Sequence, residues 1–199
     1  MRADEYVLDT EAVRDFVSAV REALLAAGSP EEACTAIRPH FAQLLADQSW
    51  LPHEYAAPAP DSGMGGGIGQ WLLFRAGDRS LSLFSLVVPP GAETPVHDHL
   101  AWGLVGLYRG TQDEEIYTRR GERLELAERR ALASGDFYDL LPPANDIHRA
   151  RTTSAETSVS LHLLTNDTGC VWRHAYDPET GEQRAFRSGY VNVDCAEDG

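Results

Sequence analysis

The chain has no lysine. All 17 of its basic residues are arginine, against 31 acidic residues, for a net charge of −14 over 199 residues. The arginine-only usage reads as coding bias. The acidity argues against a nucleic-acid backbone or an anionic membrane as partner. Cysteine is scarce as well: Cys34, Cys170 and Cys195 are far apart, odd in number and free of any C-x-x-C spacing. Neither a thiol-ligated zinc site nor a disulfide framework is indicated. No apolar run approaches the length of a membrane span. Met1-Arg2-Ala3-Asp4-Glu5 lacks a signal-peptide pattern, so a reducing cytoplasm is the expected location. The glycine run Gly63-Met64-Gly65-Gly66-Gly67-Ile68-Gly69 is followed by neither GK[ST] nor a helix pattern. It reads as a surface loop or pocket lid, not as a phosphate cradle.

What is present is ordinary for a folded domain: 43% hydrophobic and 24% charged residues. A chain this long buries roughly 70% of its unfolded surface and needs no covalent staple for a core. Residues 10–27 have a helical period, with Val13, Phe16, Val17, Val20 and Leu24 on one face, Thr10 as N-cap and Gly28 as stop. A second helix starts at Ser29. Ser29-Pro30-Glu31-Glu32 is a capping box with proline at the first helical position. Its apolar face is Ala33, Ile37, Phe41, Leu44 and Leu45, with a kink expected near Pro39. Residues 47–60 are loop-like. Short strands then follow, expected at 70–75, 81–88, 94–99, 102–109, 113–119, 123–130, 136–141, 148–153, 157–165 and 170–176. In Leu81 to Val88 both alternating faces are apolar, as in a sheet buried between two layers. The pattern is that of a mainly β sandwich or barrel with N-terminal helices. The expected divisions are 1–60 (helices packed on the barrel), 61–193 (barrel) and 194–199 (acidic tail, frayed).

The chemistry centres on Thr94-Pro95-Val96-His97-Asp98-His99. Histidines two apart on a strand point to one side and can supply two imidazole ligands to a first-row metal. His148, beyond Gly135 and the turn Pro142-Pro143-Ala144-Asn145-Asp146, is the best third ligand. The spacing of Gly91, His97, His99, Gly110, Gly135, Pro142 and His148 resembles the two motifs of the cupin family, with Asn145 where a positive-φ glycine is usual. The resemblance implies a double-stranded β-helix (jelly-roll) barrel. One departure is informative. Gly103 and Leu104 stand where the cupin glutamate ligand would fall, leaving three neutral imidazoles and a site suited to Fe(II) with open positions.

From about Gln70 to Asn192 the chain resembles a narrower group, the thiol dioxygenases (cysteine dioxygenase and 3-mercaptopropionate dioxygenase). His97-Asp98-His99 matches the stretch that opens their site. Ser160-Leu161-His162 matches the first part of their Ser-x-His-x-Tyr strand. On that resemblance Ser160 and His162 are catalytic, His162 orienting a substrate carboxylate or dioxygen. On the residues alone, His162 is equally a satisfied core histidine. The family tyrosine is replaced by Leu164, and 100–106 lacks the cysteine that its mammalian members crosslink to that tyrosine. Gln70 stands where the bacterial mercaptopropionate type places its substrate glutamine, and Arg173 at the spacing of that type's later arginine. Arg173 reads as a carboxylate fork or as an ion-paired surface arginine. Trp71, Trp102 and Trp172 are core residues or the aromatic walls of a pocket for a cationic or heteroaromatic substrate.

The resemblance thus implies an Fe(2+)-dependent dioxygenase, adding both oxygen atoms of O2 to the sulfur of a small thiol or thione to give a sulfinic acid. The metal ligands are His97, His99 and His148, and the substrate contacts are Gln70, Arg173, Leu164, Trp71 and Trp102. The expected partners are that thiol or thione and O2, with no nucleic acid and no membrane; free sheet edges allow a monomer or homodimer. Two other readings stand: a cupin dioxygenase acting on carbon, disfavoured by the missing glutamate, and a metal-binding cupin without catalysis.

Overall fold

The structure is a computed structural model in which residues 2–59 and 63–195 are described. The expected boundary at 60/61 and the tail residues 196–199 lie outside the described residues. Helix α1 spans Glu11–Ala26 and helix α2 Pro30–Ala46. The Thr10 hydroxyl accepts from the Val13 amide, and the Ser29 hydroxyl from the Glu32 amide. Glu32 in turn accepts from the Gly28 amide, which completes a reciprocal cap. Helix α2 continues through Pro39.

Twelve strands are assigned among the described residues: β1 (Glu5–Tyr6), β2 (Gly69–Arg75), β3 (Ser82–Val88), β4 (Val96–His97), β5 (Gly103–Arg109), β6 (Thr111–Arg120), β7 (Arg123–Ala133), β8 (Phe137–Leu140), β9 (Ile147–Thr152), β10 (Ser158–Leu164), β11 (Arg173–Tyr176) and β12 (Gln183–Phe186). They form two antiparallel six-stranded sheets, ordered β1-β2-β3-β10-β5-β8 (sheet A) and β12-β11-β4-β9-β6-β7 (sheet B). From β3 the chain passes between the sheets, reverses at the β6–β7 hairpin and winds back. Each returning strand pairs beside an outgoing one: β10 with β3 and β5, β9 with β4 and β6, β8 with β5. Two strands, β1 and β12, fall outside the ten expected segments.

Alternation along the strands divides the core in two. Leu83, Val87, Leu104, Leu161 and Leu163 face the helices and bury Val13, Phe16, Val20, Ile37, Phe41 and Leu45. Phe84, Val105, Leu107, Tyr138, Leu140 and Leu164 point the other way, into the space between the sheets. Each fully buried leucine or phenylalanine stabilises the fold by about 1.5–3 kcal/mol. Gly106 sets how closely α2 approaches: a Cβ there would lie 2.7 Å from Leu45 Cδ1 and 2.8 Å from Phe41 Cε1.

The cysteine expectation needs correction. Cys170 and Cys195 form a disulfide, with Cα atoms 5.2 Å apart across 25 residues of sequence. Spacing alone carried no sign of it. The segment 187–195 returns along β2, Val191 donating to the Gln70 carbonyl and Asn192 bonding both main-chain groups of Leu72, and so reaches Cys170. Cys34 is the buried free thiol, 3.7 Å from the Gly103 carbonyl, and burial pushes its pKa up to about 12.

Candidate metal centre

Strand β4 is much shorter than the 94–99 expected. His97 pairs with His148 of β9 on one side and Ala175 of β11 on the other. The ladder then stops because Asp98 recruits other partners. Its carboxylate accepts from the His174 amide, His174 Nδ1 and the Tyr176 hydroxyl, and its carbonyl accepts from Arg173 Nη1. His99 therefore reaches the centre from a loop, its amide held by Asp146 Oδ1 at 2.8 Å. Asn145, at φ 61°, makes the preceding turn. The two histidines converge as expected, but only the first does so by strand geometry.

His97, His99 and His148 are all buried, and their candidate ligand atoms lie within 4.8 Å of one another. The ring centroids are 4.9, 5.0 and 4.7 Å apart. Each Nδ1 is engaged by protein: His97 with the Pro95 carbonyl at 2.8 Å, His99 with the Asp146 carbonyl at 3.0 Å, His148 with the Tyr138 hydroxyl at 3.2 Å. A carbonyl can only accept, so His97 and His99 carry their protons on Nδ1 and leave the Nε2 lone pair free to bind a metal. Burial, reinforced by the Arg173 charge and the neighbouring imidazoles, holds His97 well below its ordinary pKa; burial takes His99 down to about 4, against the pull of Asp146. Both are neutral at neutral pH, the form that binds a metal. The residues fit a divalent cation held by three imidazoles.

A fourth side-chain ligand has no place at the position of the missing glutamate. A Cβ on Gly103 would lie 1.8 Å from the Leu163 carbonyl oxygen. A carboxylate stands behind the ligands instead: Glu114, buried beside His148 and accepting from the Tyr138 hydroxyl at 2.7 Å. Burial acts to raise the Glu114 carboxyl, but the hydrogen bonds with His148 and Tyr138 and the charge of Arg130 outweigh it and hold it low. Glu114 and Tyr138 were absent from the sequence reading, and Asp146 figured there only as a turn residue. A possible signal was Glu114 itself, an acidic residue at an inward position of a strand.

Ser160 and His162 share the inward face of β10, with Ser160 Oγ 3.0 Å from His162 Nε2. The His162 ring stacks on Phe84 at 4.8 Å and lies 6.5 Å from the His99 ring. Its Nδ1 is buried without a protein partner. Leu164 occupies the same face, fully buried against Phe84 and Val105. Gln70 is buried, its Nε2 without a partner among the described residues, and lines a cavity of about 960 Å³ together with Pro58, Ala59, Gly63 and the segment 187–195. Arg173 is buried, which lowers its pKa to about 10. Nη1 and Nη2 go to the Asp98 carbonyl and the Ser188 hydroxyl, and its guanidinium lies over Phe186 at 4.6 Å, so only Nε is unpartnered. It ties the His97–His99 loop to the cavity wall and leaves no free two-pronged fork.

The tryptophans are placed otherwise than as a ring around the histidines. Trp102 packs on the helix-facing core, two residues before Leu104 on the same face. Trp71 also turns to that side, donating Nε1 to the Ala57 carbonyl, and lines part of the 960 Å³ cavity. Trp172 is 57% exposed under Arg187 and is not a core residue. Phe186, from the unexpected β12, is the aromatic group beside the centre, 5.7 Å from the His97 ring.

No model of a known protein family matches the chain. Among solved structures it is similar over 45% of its length to a Lactobacillus farciminis oxalate decarboxylase in complex with formate, at 17% identity and TM-score 0.38. A protein with a double-stranded β-helix domain from Klebsiella pneumoniae subsp. pneumoniae matches 62% of the chain at 14% identity and TM-score 0.46, over 94% of its own length. The cupin_2 domain of an XRE family transcriptional regulator from Enterobacter cloacae matches 49% at 20% identity and TM-score 0.37, also over 94% of its length. The chain spans 25% of the oxalate decarboxylase and 43% of an oxalate oxidase. These likenesses assign neither a family nor an activity. Among the described residues, no helix is long and apolar enough to cross a membrane.

Proposed function

We propose that the chain is a metal-dependent dioxygenase of the cupin type, acting on the sulfur of a small thiol, or of a thione through its thiol tautomer. The order of strands, in which β3 to β10 wind out and back between two sheets, is that of a jelly roll. The observation that carries the reading is the convergence of three buried imidazoles, with Ser160 and His162 on the facing sheet. The balanced reaction is RSH + O2 → RSO2H: both oxygen atoms go to sulfur, and the thiol proton ends on a sulfinic oxygen.

His97, His99 and His148 would hold the metal through Nε2. Iron(II) held there would supply redox chemistry for the reaction of sulfur with dioxygen. The residues around it exclude water and set orientation. Phe84, Leu164 and Phe186 make the surroundings apolar, which strengthens every polar contact within. His162, fixed by Phe84 and Ser160, offers a nitrogen to the substrate's polar end. Gln70 is proposed as a second anchor and Arg173 as the group that holds the ligand loop.

A second reading is a metal-binding cupin that carries a small molecule without oxidising it. Leu164 in place of a phenol and the commitment of two Arg173 nitrogens to protein partners favour it. One experiment separates the two. Protein loaded anaerobically with Fe(II) is mixed with oxygenated cysteine, 3-mercaptopropionate and ergothioneine, while oxygen uptake and product mass are followed. Uptake with a product heavier by two oxygen atoms supports the dioxygenase. Absence of uptake with every thiol, at full iron loading, leaves the carrier.

A further inference from the structure

The three imidazoles are backed differently. His97 and His99 each donate Nδ1–H to a main-chain carbonyl; the Asp146 carboxylate lies 3.6 Å from His99 Nδ1 but is hydrogen-bonded to the His99 amide. His148 faces a side-chain system: Nδ1 lies 3.2 Å from the Tyr138 hydroxyl and 3.4 Å from Glu114 Oε2, while the Tyr138 hydroxyl donates to the same Oε2 at 2.7 Å. Glu114 is 1% exposed, and register places it two residues from Ile116, the residue that pairs with His148. Arg130 stacks over the Tyr138 ring at 4.5 Å, but its Nε and Nη2 form a fork on Glu128. Glu114 therefore has no fork-paired cation among the described residues. Arg130 acts on it through charge without a hydrogen bond, and its hydrogen-bond partners are Tyr138 and His148.

On the metal-centre reading, we propose that Glu114 and Tyr138 are positioning residues that make His148 the most electron-donating of the three ligands. They supply from behind the imidazole the negative charge that Gly103 cannot supply at the metal. A carboxylate hydrogen-bonded to a ligand imidazole fixes its tautomer and raises its basicity, and loss of such a partner costs 10–100-fold in metal affinity as a rule.

The test uses the whole chain and Co(II), whose visible bands report ligand strength without turnover. Wild type, Glu114→Gln, Tyr138→Phe and the double variant are compared for Co(II) affinity, band position and circular dichroism. Glu114→Gln keeps the shape and removes the charge; affinity falls about 10–100-fold and the bands shift. Tyr138→Phe keeps the ring and leaves Glu114 within 3.4 Å of Nδ1, so its loss is smaller, at most about 10-fold. The double variant loses less than the product of the two single losses, because both groups act on the same Nδ1. Unchanged affinity and bands in both single variants, with wild type binding Co(II), overturn the relay and keep the metal centre. If wild type itself takes up no Co(II), the metal centre and the relay fall together.

Discussion

Sheet A is covered on both faces: one carries α1 and α2, the other closes against sheet B. Sheet B is covered on one face only. Its outer face carries a small apolar cluster of Val96, Tyr117 and Tyr176 and, beside it, a lattice of charges, with Glu115 between Arg129 and Arg149, Arg149 also on Glu93, and Arg151 on Asp113. Yet the three candidate metal ligands come from sheet B and the loop that leaves it. The contrast is one of labour. Sheet A anchors the fold through apolar burial; sheet B spends its inner face on polar groups whose partners are side chains and loops. If this is right, substitutions in the two sheets separate stability from metal binding.

The largest effect is expected at the inner face of sheet B. His97→Ala removes one of three ligands, and metal content after Co(II) or Fe(II) loading falls from stoichiometric to undetectable. Retained stoichiometric metal, measured by elemental analysis after gel filtration, refutes the ligand set. The thermal midpoint of the metal-free protein changes little, because a buried neutral histidine contributes few apolar contacts compared with a core phenylalanine.

Phe41→Ala, beneath sheet A, is the opposite probe. Phe41 is fully buried, edge-on to Phe137 at 5.6 Å and 5.9 Å from Phe16. Its truncation costs about 3–5 kcal/mol of unfolding free energy, read from urea denaturation. The folded fraction still binds metal with wild-type stoichiometry. Loss of metal binding in the folded variant breaks the division between the sheets.

The same division explains how much was legible in the sequence. Sheet A and the helices follow from periodicity: Val13, Phe16, Val17, Val20, Ile37, Phe41 and Leu45 are all buried, and Thr10 and Ser29 cap as their side chains dictate. His97, His99 and His148 were readable because their spacing carries the chemistry. The groups that orient them were not. Glu114 reaches His148 across 34 residues and Asp146 reaches His99 across 47. Such contacts depend on sheet register, which a local pattern does not encode. Trp102 shows the limit in reverse. It lies near His99 in the chain, but its side chain packs against the helix-facing core. Cys170 and Cys195 meet only because the segment 187–195 folds back along β2.

The smallest effect belongs to the outer face of sheet B. The hydrogen bond from the Tyr117 hydroxyl, with Arg149 and Arg129 adding to it, takes the Glu115 carboxyl down to about 2. An unfolded glutamate titrates near about 4.3. A carboxyl whose pKa is depressed by folding adds stability that is fully present above the unfolded value and lost as pH falls toward the folded one. Glu115→Gln therefore lowers stability at neutral pH by less than about 1 kcal/mol, the range of solvent-screened pairs. The gap between wild type and variant closes as pH falls from about 4 toward about 2. Urea unfolding at several pH values measures this. Co(II) affinity stays at the wild-type value throughout the range in which the histidines remain neutral. A gap that persists at low pH means that Glu115 acts through packing and neutral hydrogen bonds, and the outer face then works like sheet A after all.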